Sequence, residues 1–169
     1  ALAMESFVNA LDKGVESNDN LTKARTLVAQ STIYYSLYEL DNFIETSKRA
    51  ALYFKQEEKY NSYANCIIKI INGYTLKDSP NEALPYIDEC KRMLGTMSAN
   101  SLLDFYSAYL VYVAEYGTVQ EISNLINEYD NIIPNTHKDW LTLSKAYLRI
   151  DKYEDALRAI GQCKDCHNT

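Results

Sequence analysis

WLTLSKAYLRIDKYEDALRAIGQC, running from Trp140 to Cys163, is the stretch whose reading decides the fold. Trp140, Leu143 and Tyr147 recur at three- and four-residue steps, which puts them on one face of a helix. A break at Ile150-Asp151-Lys152 follows. Tyr153, Ala156, Leu157, Ile160 and Cys163 then form a second apolar stripe. Two amphipathic helices joined by so short a turn pack antiparallel. The spacing therefore predicts a helical hairpin with Trp140 in its core.

The same alternation of helix and short break extends back through the chain. Met4–Ser17 reads as a helix with Phe7, Val8 and Leu11 inward, and Leu21–Leu40 as a longer one carrying Ala24, Leu27, Ile33, Tyr34 and Leu37. Beyond Asp41 the stripe is Phe43, Ala50, Tyr53 and Phe54; from Tyr60 to Leu76 it is Ile67, Ile70, Ile71 and Tyr74. Asp78-Ser79-Pro80 breaks the pattern before Ala83, Leu84, Ile87 and Cys90. Leu103–Tyr116 carries Tyr106, Tyr109, Leu110 and Val113, with Gly117 as its expected C-cap. Val119, Ile122, Ile126 and Tyr129 lead to Pro134. About nine helices and no strand are expected: an all-α chain.

Thr46, Ala83, Ile122 and Ala156 stand at equivalent places early in alternate helices, spaced by roughly 34 to 39 positions, as in arrays of helical hairpins. Each of those helices is preceded by a capping pair: Asn42 with Glu45, Ser79 with Glu82, Thr118 with Glu121, and Asp151 with Glu154. Pro80 fits a first helical position, where its missing N–H costs nothing.

These residues resemble the tetratricopeptide repeat (TPR), whose unit is a helical hairpin of about 34 residues. Trp140, Leu143, Tyr147, Tyr153 and Ala156 follow its pattern, and Pro134 falls where it expects Pro. The other units depart from it. Thr46 and Ile122 replace a small residue, and the glycine of each first helix is Tyr34, Ile71, Leu110 or Ser144. The resemblance implies a right-handed superhelix of antiparallel pairs, with repeats near 27–60, 64–97, 103–136 and 137–169 after a lone helix at 4–17, in one domain. It also implies that first helices line a partner-binding groove. Carried over, that groove holds Tyr35, Tyr38, Glu39, Asn65, Ile68 and Asn72, then Asp104, Ser107 and Val111, and ends at Lys138, Lys145 and Arg149. The Lys/Asn clamp by which some relatives hold a peptide carboxylate is not reproduced at Ser31 and Tyr35 or at Asn72 and Ile68.

Composition narrows the function. A net charge of −6 and a pI of about 4.9 argue against nucleic acid, which needs a basic surface. No run reaches the roughly 18 apolar residues of a membrane span. Cys66, Cys90 and Cys163 sit on or beside apolar stripes, where cysteine behaves as a small hydrophobe. That favours a reducing, cytoplasmic setting, with the periplasm as the alternative. Cys163-Lys164-Asp165-Cys166-His167 matches the attachment string for c-type haem, yet Cys163 ends a core stripe, so no cofactor is expected. His137, the other histidine, reads as exposed, and no catalytic set or metal site is proposed. From Met93 to His137 there is no Lys or Arg, but there are Asp104, Glu115, Glu121, Glu128 and Asp130, a solvated acidic face or a site for a basic partner.

The expectation is a non-enzymatic scaffold that binds a protein or peptide. By resemblance, it is the sensing or docking part of a larger bacterial regulatory protein. A small-ligand or glycan binder is the alternative, and a haem or redox protein through Cys163, Cys166 and His167 the remote one. The start at Ala1-Leu2-Ala3-Met4, the lone first helix and the half-covered last stripe lead to a further expectation: a fragment that self-associates through Tyr153, Leu157 and Ile160.

Overall fold

The structure is a computed structural model that describes residue 11 and residues 13–165. Among the described residues it is all-α. Eight helices follow in order: α1 Asn20–Ser36, α2 Leu40–Gln56, α3 Tyr60–Leu76, α4 Pro80–Met93, α5 Ala99–Tyr116, α6 Val119–Ile132, α7 Trp140–Arg149 and α8 Tyr153–Asp165. Residue 11 and residues 13–15 are helical too. Most of the helix expected over Met4–Ser17, with Phe7 and Val8, lies outside the described residues. The chain forms two compact units, Ala1–Ser101 and Leu102–Thr169.

In the first unit one turn is used three times over. Tyr38, Glu58 and Asp78 take left-handed backbone conformations, with φ of 60°, 54° and 57°. At the first, Glu39 N–H donates to the Tyr34 carbonyl at 2.9 Å and Tyr38 N–H to the Tyr35 carbonyl at 3.0 Å. Lys59 and Ser79 repeat the longer-range bond to Phe54 and Tyr74, each at 2.9 Å. Carbonyls orphaned at a helix end are thereby satisfied, and the next helix begins two residues after the left-handed one. With α1 opening at Asn20, the next helices consequently start at Leu40, Tyr60 and Pro80. A pair therefore recurs from Asn20 to Tyr60 and from Leu40 to Pro80, a longer period than the spacings read from sequence. Asp151, with φ of 58°, makes the same turn between α7 and α8 in the second unit. Gly117 does not, because its φ is not positive, and its N–H simply continues to the Val113 carbonyl at 2.8 Å.

Successive helices of this unit run antiparallel. Lys48 and Lys55 of α2 meet Tyr74 and Tyr63 of α3, so the numbering rises on one helix as it falls on the other. Likewise Asn20, which opens α1, donates to Glu57, just past the end of α2, at 2.9 Å. Helices two apart also touch. Lys69 of α3 approaches Thr32 of α1 at 3.4 Å, and Lys55 of α2 reaches Glu89 of α4 at 3.5 Å. The repeat is therefore a physical contact as well as a pattern.

The core of the first unit runs through Leu27, Phe43, Ala50, Phe54, Ile67, Ile70, Ile71, Ala83, Ile87 and Cys90, close to the expected stripes. Leu37 and Leu84 are exposed instead, Leu37 because α1 has already ended. A β-carbon at Gly73 would lie 2.5 Å from Ile44 Cγ1 and 3.1 Å from Phe43 Cδ1. The close approach of α3 to α2 thus rests on Gly73, two residues past the position read as the repeat's glycine, Ile71. On the same face of α2, Ser47 is fully buried and its hydroxyl has no partner.

The second unit is built on aromatic packing. Phe105 stacks on Tyr109 with ring centroids 5.6 Å apart, and Tyr106 meets Tyr129 edge-on at 6.2 Å. Tyr106 donates its hydroxyl hydrogen bond to Glu128. Thr118 and Glu121 form the expected capping box. The other three pairs differ. Asn42 lies inside α2 and donates to Glu39, Ser79 makes no side-chain cap, and Asp151 is the left-handed residue of its turn. Asp19 and Asp139 are the caps that sequence did not mark; they accept from Thr22 N–H at 2.7 Å and Thr142 N–H at 3.0 Å.

The hairpin formed by α7 and α8 is present as expected, but its core is smaller. Leu143, Ala146, Ala156 and Ala159 are buried, whereas Trp140 and Tyr147 are only part-buried. Trp140 stands at the first position of α7, too near the helix end to be enclosed. Tyr153, Leu157 and Ile160 remain exposed.

Overpacking a core costs about 1–3 kcal/mol, against a gain of about 1 kcal/mol in helix propensity over glycine. Gly73→Ala is therefore expected to lower stability by about 1 kcal/mol, by the difference of those two. Ser47→Ala removes an unpaired buried hydroxyl and should raise stability by about 1 kcal/mol. Urea unfolding of both variants measures the two opposite signs.

Candidate functional site

Two adjoining open pockets lie in the first unit, where the end of α2, the start of α3 and the end of α4 converge. One, of about 350 Å³, is lined by Lys55, Tyr60, Tyr63, Glu89, Arg92, Met93 and Thr96. The other, of about 340 Å³, shares Tyr60 and Thr96 and adds Glu58, Lys59, Asn61 and Ser62. The left-handed turn at Glu58 creates the place, since it brings the last turn of α2 and the first turn of α3 side by side. The far edge is pinned by Asn61, whose side-chain oxygen accepts from Ser98 N–H at 2.7 Å. Thr96 Oγ1 donates to the Met93 carbonyl at 2.8 Å and closes the last turn of α4.

The polar groups have unequal commitments. Tyr63 donates its hydroxyl hydrogen bond to Glu89. Lys55 Nζ lies 3.2 Å from the same hydroxyl and 4.9 Å from the centre of the Tyr63 ring. Burial, and then the bond to Glu89, push the Tyr63 phenol above its ordinary range. The bond to Tyr63, together with the nearby charge of Glu89, raises Lys55. The Lys55–Glu89 ion pair is long, at 3.5 Å, and largely exposed, so it positions these groups more than it stabilises the fold. Arg92 is exposed, and no hydrogen bond or ion pair engages its guanidinium among the described residues. Tyr60 keeps half its surface in solvent, at 52%.

Two turns before Lys55 on α2, Lys48 donates to Tyr74 at 2.8 Å and sits over the Tyr74 and Tyr86 rings, which stack 6.0 Å apart. This cation is already occupied. Lys55 and Arg92 open onto the larger pocket, and Lys59 onto the adjoining one.

The residues expected to form a groove are divided between the two units. In the first unit Asn65 is exposed, Asn72 part-exposed and Ile68 buried, while Tyr35 is exposed with its ring 5.2 Å from that of Phe43. Tyr38 is the left-handed residue after α1 rather than a helix-face side chain. In the second unit Asp104 is exposed with its carboxyl raised by desolvation, Val111 is part-buried, and Ser107 hydrogen-bonds Tyr129. Lys138 pairs with Asp130 and covers Trp140 at 5.6 Å, its side chain only 7% exposed. Arg149 Nε donates to the Ala114 carbonyl at 2.6 Å and Nη2 to the Glu115 carbonyl at 3.3 Å, capping α5. Lys145 is exposed. None of these residues lines the two pockets.

Of the acidic run, Glu128, Glu121 and Asp130 serve Tyr106, the capping box and Lys138. Cys66 and Cys90 are buried thiols pushed up to about 12 by burial, and Cys163 is part-buried. Cys166 and His167 lie outside the described residues. His137 is exposed against Thr136, and no metal-ligating cluster occurs among the described residues. No described helix is long and apolar enough to cross a membrane.

No family model, curated protein or solved structure matches the chain.

Burial raises the phenols of Tyr63, Tyr106, Tyr112, Tyr129 and Tyr147. A group whose folded pKa exceeds its unfolded value holds more protons when folded. Its contribution is complete below the unfolded value, about 10 for tyrosine, and is lost as pH rises through the folded value. Unfolding free energy should therefore fall from about pH 10 upward. An absorbance titration of the native chain in the phenolate band should show these rings ionising later than in the urea-unfolded chain.

Proposed function

We propose that this chain is a non-enzymatic interaction domain, a TPR-like repeat that docks a peptide segment of a partner protein. The observation that carries the reading is the pair of pockets around Tyr60: open volume, an exposed aromatic ring and an uncommitted guanidinium on a helical frame. Tyr and Arg are among the side chains that most often dominate binding energy at interfaces. Helix ends in a repeat stack hold such groups at fixed separations, which limits the ordering cost of binding. The TPR likeness rests on Trp140, Leu143, Tyr147, Tyr153 and Ala156; the longer pair period of the first unit makes it a lengthened variant. A role as the docking part of a regulatory protein follows from that likeness.

A small ligand is the second reading, favoured by the pocket volume, which lies at the low end of the roughly 300–1,000 Å³ of ligand sites.

Selection of a random peptide library on the whole chain tests the proposal. Enriched peptides should lose about tenfold in affinity, or about 1.4 kcal/mol, on Tyr60→Ala. Asn65→Ala with Asn72→Ala should leave them unchanged. The reverse pattern would move the site to the first-helix face, and the absence of any enriched peptide would remove the proposal.

A further inference from the structure

We infer that the larger pocket takes an acidic side chain carried on an apolar peptide segment. This rests on the interaction reading and adds the chemistry of the bound segment. The pocket has one carboxylate, Glu89, and it is already engaged by the Tyr63 hydroxyl and Lys55. Arg92 brings a second positive charge that nothing in the described chain answers. Lys55 offsets Glu89, so the unanswered charge of the lining is positive.

The donor inventory agrees. Lys55 can donate three hydrogen bonds and has two neighbours within reach, while the five N–H groups of Arg92 are all open. A guanidinium presents parallel N–H donors that match the two oxygens of a carboxylate. Because Arg92 has no partner to give up among the described residues, a bound carboxylate would break no ion pair there. Besides Thr96, the remaining wall is the Tyr60 ring and the Met93 side chain, the latter a flexible, polarisable contact suited to varied aliphatic groups. A volume of about 350 Å³ has room for a side chain or two, not for an extended cofactor. The charge therefore has to arrive beside an apolar neighbour.

The test is an NMR titration of the whole ¹⁵N-labelled chain with three blocked dipeptides. Acetyl-Leu-Glu-amide supplies both features, acetyl-Leu-Gln-amide lacks the charge and acetyl-Gly-Glu-amide lacks the apolar group. The first should shift the resonances of Tyr60, Tyr63, Met93 and the Arg92 Nε–H, and the other two should bind about tenfold more weakly. Arg92→Gln should reduce the first to the level of the second, while circular dichroism stays unchanged because Arg92 supports no other described residue. Acetate, added as a free carboxylate, should compete poorly; acetate binding as tightly as acetyl-Leu-Glu-amide would make the site one for small anions and overturn the peptide assignment. Equal binding of the Leu-Gln dipeptide at the pocket would overturn the acidic assignment and leave the interaction reading standing. Library peptides that bind at Tyr60 but ignore Arg92→Gln would do the same. If neither dipeptides nor library peptides perturb the pocket, both readings fall.

Discussion

The packing of the first unit depends on the left-handed turn that closes α1, α2 and α3. A left-handed residue with a β-carbon costs roughly 1–2 kcal/mol, and here Tyr38, Glu58 and Asp78 all accept that cost. Two backbone bonds to carbonyls that would otherwise be orphaned offset part of it. The rest is offset by what the turn permits, which is immediate antiparallel return of an amphipathic helix onto its predecessor. With the turn held constant, helix length sets the period. Three successive helices of equal length, separated by turns of equal length, fix the helix starts at Asn20, Leu40, Tyr60 and Pro80.

That regularity explains both the packing and the site. Antiparallel return lays α3 against α2 closely enough that Gly73 is needed beneath Ile44 and Phe43. It also brings helices two apart into contact through long polar side chains, from Lys69 to Thr32 and from Lys55 to Glu89. Exposed pairs of this kind contribute little energy singly. Their effect is registration. The pockets form where three helix ends meet beside the Glu58 turn, and the cations of α2 and α4 lie in last turns, where the helix dipole favours them.

The candidate site was poorly legible before folding. Lys55, Glu89 and Arg92 read as solvated charges on polar faces, and Tyr60 as one of fifteen tyrosines. A usable signal existed: Lys55 and Glu89 stand about one repeat apart, and repeat-related charges on like helices can touch. Among the groove residues carried over from family resemblance, two show that resemblance assigns a face and not a commitment. Arg149 and Lys138 are cations on an accessible helix end in sequence; in the structure they are already engaged by α5 carbonyls and by Asp130.

Sequence alone determined the all-α class, the order of helices among the described residues, and most of the core. Those follow from apolar spacing at three and four residues, which is local and survives any arrangement of neighbours. Helix ends were less determinate. Asn42 and Asp151 look like caps but are an interior residue and a turn residue, since a cap depends on where the preceding turn stops. Only the tertiary structure decided that Trp140 stays part-buried, that Gly73 carries the tight contact, and that Arg92 stands uncommitted while Arg149 does not. Each of these depends on what lies opposite a side chain across a helix–helix contact, and a one-dimensional pattern holds no record of that distance.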